Sequence, residues 1–460
     1  MSTVTHPASP RIGRLMRPRG RQELRNRELV LLLVAFAISL AAIVIIQEAV
    51  LGQLEFGMLG TCATLGVLIL IFHIVLRFAA PQSDAVIVPI ATLLNGLGIA
   101  EIYRIDLADK VSGWDAVSVK QCAWTALALV ISIVVILVVR HHRVLQRYTF
   151  TSGLVAVVLL FLPAIPGLGV EVNGARVWIQ IAGLTFQPGE VAKIALAVFF
   201  AGYLVQHRDT LSMVGRRMWG MRLPRGRDLG PILTIWVLSM AVIVLQRDLG
   251  TGLLYFGLFL VMLYAATGRG SWVGLGIALF VTGAVAANFV LGYVNDRFAN
   301  WYDAFDPDRY NDIGGSFQLV QGIFGLAHGG VLGTGLGNGM PYITPVSQSD
   351  YIVASLGEEL GLTGLFAILC LYLILTTRGL RIGYVATDEF SKLLATGLSF
   401  VIALQCFIVI GGVTRVIPLT GLTTPFLAAG GSSLVANWII IALLLRLSDA
   451  ARSRARLVVT

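Results

Sequence analysis

Long apolar runs separated by short, arginine-rich breaks dominate the chain. Leu29 to Ile46 and Ala123 to Val139 contain no charged residue at all. A spanning helix needs about 20 mostly apolar residues. A transmembrane barrel would instead show segments of about ten residues with alternating polarity. The pattern predicts an all-α polytopic membrane protein with about twelve spans. They lie near 28–50, 57–78, 84–104, 115–139, 148–166, 187–206, 230–246, 250–267, 271–293, 351–376, 393–414 and 424–447. The division at Gln246-Arg247-Asp248-Leu249-Gly250 is the critical one. Fusing its flanks would make one span too long and invert everything that follows.

The arginines orient the bundle. Cytoplasmic loops collect Lys and Arg. With the N-terminus inside, the cytoplasmic face receives seven arginines between Arg11 and Arg27, then Arg140, Arg143 and Arg147, Arg208 through Arg227, Arg378 and Arg381, and Arg446 through Arg456. The other face receives two loops that are not basic, about 167–186 and 294–350. The second holds Asp296, Asp303, Asp306, Asp308, Asp312 and Asp350 against Arg297 and Arg309. Both termini are therefore expected in the cytoplasm, as tails over 1–27 and 448–460. The N-terminal tail is too long and polar for a cleavable signal, so the first helix is expected to act as an uncleaved anchor.

Composition agrees. Of 460 residues, 57% are hydrophobic and 13% charged, against about 25% charged in soluble domains. The net charge of +9 is explained by positive-inside loops and calls for membrane lipids as neighbours, not nucleic acid. Cys62, Cys122, Cys370 and Cys406 stand singly in apolar runs, which suits packing better than metal or disulfide chemistry.

The 294–350 loop is long enough to be functional. Ser316 to Ala327 has the apolar spacing of an amphipathic helix, and Gly329-Gly330 stops it. Gly333, Gly335, Gly337 and Gly339 then form a run that can approach other backbone closely. The run lacks the spacing, the preceding strand and the lysine of a nucleotide loop.

Charges at the membrane edge are the first chemical candidates. Gln187-Pro188-Gly189-Glu190 reads as a helix start, with Glu190 complementing the positive helix end. Lys193 is one turn on, on the same face. The pair reads either as a salt bridge or, with Arg176, as a cationic site for a lipid phosphate or pyrophosphate. Asp312, in Asn311-Asp312-Ile313-Gly314-Gly315, reads either as a turn former or as a base or metal ligand. Gln318 and Gln321 share a helix face beside it. The six histidines form no hydrolase pattern with serine and aspartate.

These residues fall in motifs that resemble the SEDS family (shape, elongation, division, sporulation), the bacterial peptidoglycan polymerases that include RodA and FtsW. The segments are Asn173 to Trp178 with Phe186 to Lys193, Gln246 to Thr251, Asp312 to Gln321 with Gly333 to Gly339 and Ser349 to Gly361, and Pro418 to Leu434. Gly189 stands where the family has Ser, Arg247 where it has Pro, and Thr344 to Ser349 departs from its pattern.

The resemblance implies a ten-helix core, here 81–447, preceded by an added hairpin over 28–80. It implies a glycosyltransferase polymerising lipid II at the outer face of the cytoplasmic membrane, partnered by a class B penicillin-binding protein. Asp312 aligns with the essential aspartate, as base or as ligand to Mg or Mn. Arg176, Glu190, Lys193, Gln318, Gln321, Asp248 and Ser432 form the implied substrate-binding set. The short C-terminal tail points to the elongation branch, RodA, and the arginine bias to an actinobacterium. The alternatives are an FtsW-type division polymerase, a lipid II flippase or other transporter, and a non-catalytic scaffold.

Overall fold

The computed structural model describes residues 18–172, 174–181, 184–212, 217–218, 221–222 and 230–454. Each of the twelve expected spans is a helix. They are α1 (Pro18–Leu51), α2 (Phe56–Ala79), α3 (Ile87–Ala108), α4 (Val117–Val138), α6 (Thr149–Phe161), α7 (Pro188–Ser212), α8 (Gly230–Gln246), α9 (Leu249–Thr267), α10 (Gly270–Val290), α14 (Ile352–Val385), α15 (Glu389–Val413) and α16 (Gly431–Arg454). Short helices fill the connections: α5 (Arg143–Arg147), α11 (Gly292–Tyr302), α12 (Pro307–Asn311) and α13 (Phe317–Gly329). Among the described residues, nine helices are long and apolar enough to cross a membrane; α3, α6 and α8 fall outside that set. In α3 the apolar run is interrupted by Asn95, Glu101, Arg104 and Asp106, all buried in the bundle. Large apolar side chains such as Val34, Phe78, Val134 and Phe289 are exposed on the outside, as a lipid-facing surface requires.

The loop before α7 folds into an antiparallel sheet of β1 (Gly169–Val172), β2 (Ala175–Ile181) and β3 (Leu184–Phe186), in that order. A two-stranded ribbon, β4 (Arg217–Met218) with β5 (Met221–Arg222), lies between α7 and α8.

Three boundaries have local causes. Helix α8 stops at Gln246 because Arg247 takes a left-handed φ of +54°. Asp248 then caps α9, its carboxylate accepting the Thr251 N–H at 3.0 Å. Helix α1 starts within the expected basic tail, at Pro18. Arg25 and Glu28 pair along it at 2.5 Å, and His73 of α2 lies 2.8 Å from Glu28. These charges are buried inside the hairpin rather than solvated.

The third boundary is that of the last span, which begins at Gly431 and not near 424. The preceding stretch is irregular and buried. Gln121 of α4 donates to the Ala428 carbonyl at 3.0 Å and accepts the Gly430 N–H at 3.2 Å. Non-helical backbone at membrane depth is tolerated where protein satisfies it in this way. Trp438 of α16 is fully buried, edge-on to Phe72 of α2 at 5.9 Å and to Phe426 at 6.0 Å, so the N-terminal hairpin packs directly on the core.

Candidate active site

Asp312 follows α12, whose start is set by Pro307 and by the Asp306 cap. Its carbonyl accepts the Gly315 N–H at 3.1 Å, and the Arg309 carbonyl accepts the Ser316 N–H at 3.0 Å. Gly314 has φ +79°, and a Cβ at Gly315 would sit 1.9 Å from the Arg309 carbonyl oxygen. This Gly-Gly turn therefore admits no side chain without shifting. It presents Asp312 exposed, with its carboxylate accepting the adjacent Ile313 N–H at 2.9 Å. Gln318 and Gln321 start α13 but are tied elsewhere, Gln318 to the Pro345 carbonyl and Gln321 to the Tyr310 hydroxyl, both at 2.7 Å.

Glu190 and Lys193 lie inside the bundle. Lys193 Nζ donates to Glu190 Oε2 at 2.5 Å, Gln405 Oε1 at 2.9 Å and Asn437 Oδ1 at 3.2 Å. Three donors meet three acceptors, so this ammonium is saturated by protein. Ser432 closes the start of α7, its hydroxyl accepting the Gln187 N–H at 2.9 Å. The Tyr255 hydroxyl donates to the Gly189 carbonyl at 2.8 Å. Arg176 belongs to another network. On exposed β2 it donates to Glu171 at 2.8 Å, holding that carboxyl below the usual range, and Glu171 also lies 4.0 Å from Arg247.

Beside the start of α9, charged groups adjoin an apolar cavity. Asp248 is buried; burial raises its pKa against the hydrogen bonds from Thr251. Burial pushes the Asp350 carboxyl up to about 6, opposed by Ser349 and Arg297. Arg297 acts electrostatically on both carboxyls and donates to the Leu419 carbonyl at 2.9 Å. The next residues along, Leu249 and Phe298, line a cavity of about 710 Å³ walled also by Leu253, Phe280, Phe289 and Phe407.

The FtsW/RodA/SpoVE family profile, described as "Cell cycle protein", matches residues 84–453. The chain belongs to this family. Its similarity to the peptidoglycan glycosyltransferase RodA of Mycobacterium tuberculosis is 44% identity over 440 residues, 94% of this chain and 92% of that protein. The Mycobacterium leprae RodA is likewise 44% identical over 94% of this chain and 92% of its own length. The stage V sporulation protein E of Bacillus subtilis is 34% identical over 64% of this chain and 77% of that protein. The fold is similar to a chain of a peptidoglycan synthase complex, with TM-score 0.62 and 21% identity, covering 80% of this chain and 98% of that one. It is also similar to the Thermus thermophilus rod shape determining protein RodA, with TM-score 0.56, 21% identity and coverage of 80% and 96%.

Within this family member the structure joins Glu190 and Lys193 directly and brings Ser432 to the same helix start. Asp248 acts electrostatically on Tyr255, as does Glu190. Arg176 and Asp312 stand on separate outer elements. Sequence reasoning did not single out Arg297 or Asp350, which read as ordinary loop charges. Their one signal was position, each flanking a span.

A second missed network surrounds Glu359. Helix α14 breaks at Gly361 (φ +69°, ψ −174°), and the glycine run inserts there. Thr334 and Gly335 donate to the Glu358 and Glu359 carbonyls, and Leu362 and Thr363 donate to Gly330 and Val331. Glu359 also accepts the N–H groups of Gly337 and Gly339 and the Arg104 guanidinium. The run therefore repairs a broken membrane helix, and the buried arginine of α3 locks it.

The Asp350 environment carries a signed pH prediction. Its folded-state pKa, about 6, exceeds the ordinary value of about 3.9. The folded protein binds the extra proton, so this group's contribution to stability is intact below pH ~4 and lost as pH rises through ~6. Asp350→Asn removes the loss. In paired thermal-unfolding scans, the variant's advantage over wild type is expected to grow from pH 4 to pH 7 and then level off. A constant difference across that range would exclude the assignment.

Proposed function

We propose that this chain is a peptidoglycan glycosyltransferase of the RodA type that polymerises lipid II at the outer face of the cytoplasmic membrane. The observation that carries the reading is the apolar cavity of about 710 Å³ lined by Leu249 and Phe298, next in sequence to Asp248 and Arg297, with Arg297 acting electrostatically on Asp350. That arrangement suits an amphiphile with a long apolar tail and an anionic, sugar-bearing head. Leu249, Pro418 and Thr420 of the cavity lining fall within the family's motifs.

In the proposed reaction the C4 hydroxyl of the acceptor sugar attacks the anomeric carbon of the growing chain. The carbon–oxygen bond to undecaprenyl pyrophosphate breaks, and the pyrophosphate carries away the electron pair. Asp312, exposed in its rigid turn, takes the hydroxyl proton. Arg176 and Arg297 are the cations placed to meet the leaving group's charge. Lys193 acts at one remove, fixing Glu190 and the start of α7. Magnesium or manganese at Asp312 is part of the proposed chemistry. Among the described residues no group of three His, Cys, Asp or Glu could hold a metal. Mg²⁺ needs no such cage, because it keeps waters and takes one or two carboxylates with substrate phosphates. Asp312 would supply such a carboxylate, and the ion would offset pyrophosphate charge. A class B penicillin-binding protein is the proposed transpeptidase partner.

The transporter alternative needs relay groups near the membrane midplane. Saturation of Lys193 by three fixed acceptors argues against that role for it. Polymerisation of purified lipid II into glycan strands tests the proposal; substrate translocation without polymer would replace it.

The proposed orientation has its own check. After replacement of the native cysteines, Ile313→Cys, at a fully exposed loop position, is expected to react with an impermeant maleimide added outside intact cells. Arg143→Cys, exposed at the other end, is expected to react only after permeabilisation. The opposite labelling pattern would invert the bundle and remove Asp312 from the side of polymerisation.

A further inference from the structure

At the end of the bundle opposite Asp312, a pocket of about 390 Å³ lies where the N-terminal hairpin, α14 and α16 meet. Arg378 and Arg381 enter it from α14, Arg452 and Ser448 from α16, and Asp84 from the α2–α3 connection. Asp84 is buried, and one of its oxygens, Oδ2, serves two guanidinium groups, Arg452 at 2.7 Å and Arg378 at 3.6 Å. Among the residues that line the pocket, three arginines face one carboxylate; Asp449, next to Ser448, accepts the Gln82 N–H. Both paired arginines keep about a third of their side-chain surface exposed (37% each), and Arg381 is exposed.

A second observation points to a ligand. Ser448 lines this pocket, is 1% exposed, and its hydroxyl has no hydrogen-bond partner among the described residues. An orphaned buried hydroxyl costs free energy unless something fills the site. Forked guanidinium donors beside a hydroxyl donor are the chemistry that recognises a phosphate. The remaining wall is apolar, with Ile382 and Val385 of α14. Val385 and its neighbour Tyr384 are exposed, so this wall reaches the surface of the bundle.

We infer that this pocket is a binding site for the phosphate of an anionic membrane lipid, which joins the N-terminal hairpin to the core. Basic pockets between membrane helices suit such head groups. The inference concerns binding alone and stands whether or not the polymerase reading holds.

The test uses the purified full-length protein and native mass spectrometry with phosphatidylglycerol, phosphatidylcholine and inorganic phosphate as separate probes. Wild type is expected to retain phosphatidylglycerol at least about tenfold better than phosphatidylcholine, a margin in keeping with two surface arginines. Arg378→Gln with Arg381→Gln should lose that preference. Arg143→Gln with Arg147→Gln, the same charge change at exposed positions of the same end, should keep it. Ser448→Leu fills the pocket without altering charge and should also lose the preference, which covers the case in which the double arginine variant fails to fold. Unchanged retention in folded Ser448→Leu overturns the site. Equal retention of the two lipids, with inorganic phosphate bound instead, overturns the lipid as occupant.

Discussion

Asp312→Asn is expected to abolish detectable glycan polymerisation while the protein still expresses, inserts and unfolds at the wild-type temperature. The substitution keeps side-chain size and turn-forming ability but removes the charge. The geometry makes the experiment clean. Asp312 is exposed, and among the described residues the hydrogen bond to its carboxylate comes from the neighbouring Ile313 N–H, which an asparagine oxygen also accepts. The turn is held by backbone bonds from Gly315 and Ser316 and by the steric need for glycine at 315, none of which depends on charge. Removal of a general base typically costs about 10²–10⁴-fold in rate, so loss of at least two orders of magnitude is the expected readout in a lipid II assay. Wild-type turnover in the variant would reduce Asp312 to a turn former. A parallel assay of Asp350→Asn separates the carboxyl tuned by burial from the one presented by the turn. A larger loss there would move the base to Asp350. In the wild type, activity lost with a chelator and restored by Mg²⁺ or Mn²⁺ would favour the ligand role for Asp312.

Lys193→Met is expected to give the larger effect on stability. Both partners are nearly inaccessible, with side chains 1% and 5% exposed at a separation of 2.5 Å. Methionine removes the charge and leaves Glu190, Gln405 and Asn437 facing a thioether. Removing one member of a buried ion pair typically costs about 3–5 kcal/mol, because the remaining charge is stranded. The unfolding midpoint in detergent should fall by several degrees, and turnover should fall with it. Glu190→Gln in the same chain removes the stranded charge and should recover much of the loss. Arg176→Met is the contrast. Its ion pair with Glu171 is exposed, and such pairs contribute about 0–1 kcal/mol, so stability should hold while turnover falls. A stable Lys193→Met with impaired turnover would instead give Lys193 a direct substrate role.

The family of this chain was legible in its ordered motifs, and its long helices in its hydropathy, because each spanning helix must bury its backbone bonds internally and offer an apolar surface to lipid. The division between α8 and α9 was placed from span length alone; the Asp248 cap that fixes it belongs to the structure. Irregular backbone inside the membrane was not readable. The stretch before Gly431 is as apolar as a helix, and its backbone is satisfied by groups distant in the sequence: Gln121, some 300 positions away, with Tyr372 and Gln405. The glycine run announced close approach but not its target. That target is a helix broken at Gly361, and a break that long-range bonds repair leaves no local pattern. Lys193 was visible as a charge one turn inside a span. Whether it faced substrate or protein depended on Gln405 and Asn437, carried on α15 and α16. Sequence determined which charges lie near the membrane, because their cost there restricts where they occur. Tertiary structure decided which are already neutralised, because pairing depends on side chains that meet only after the helices pack.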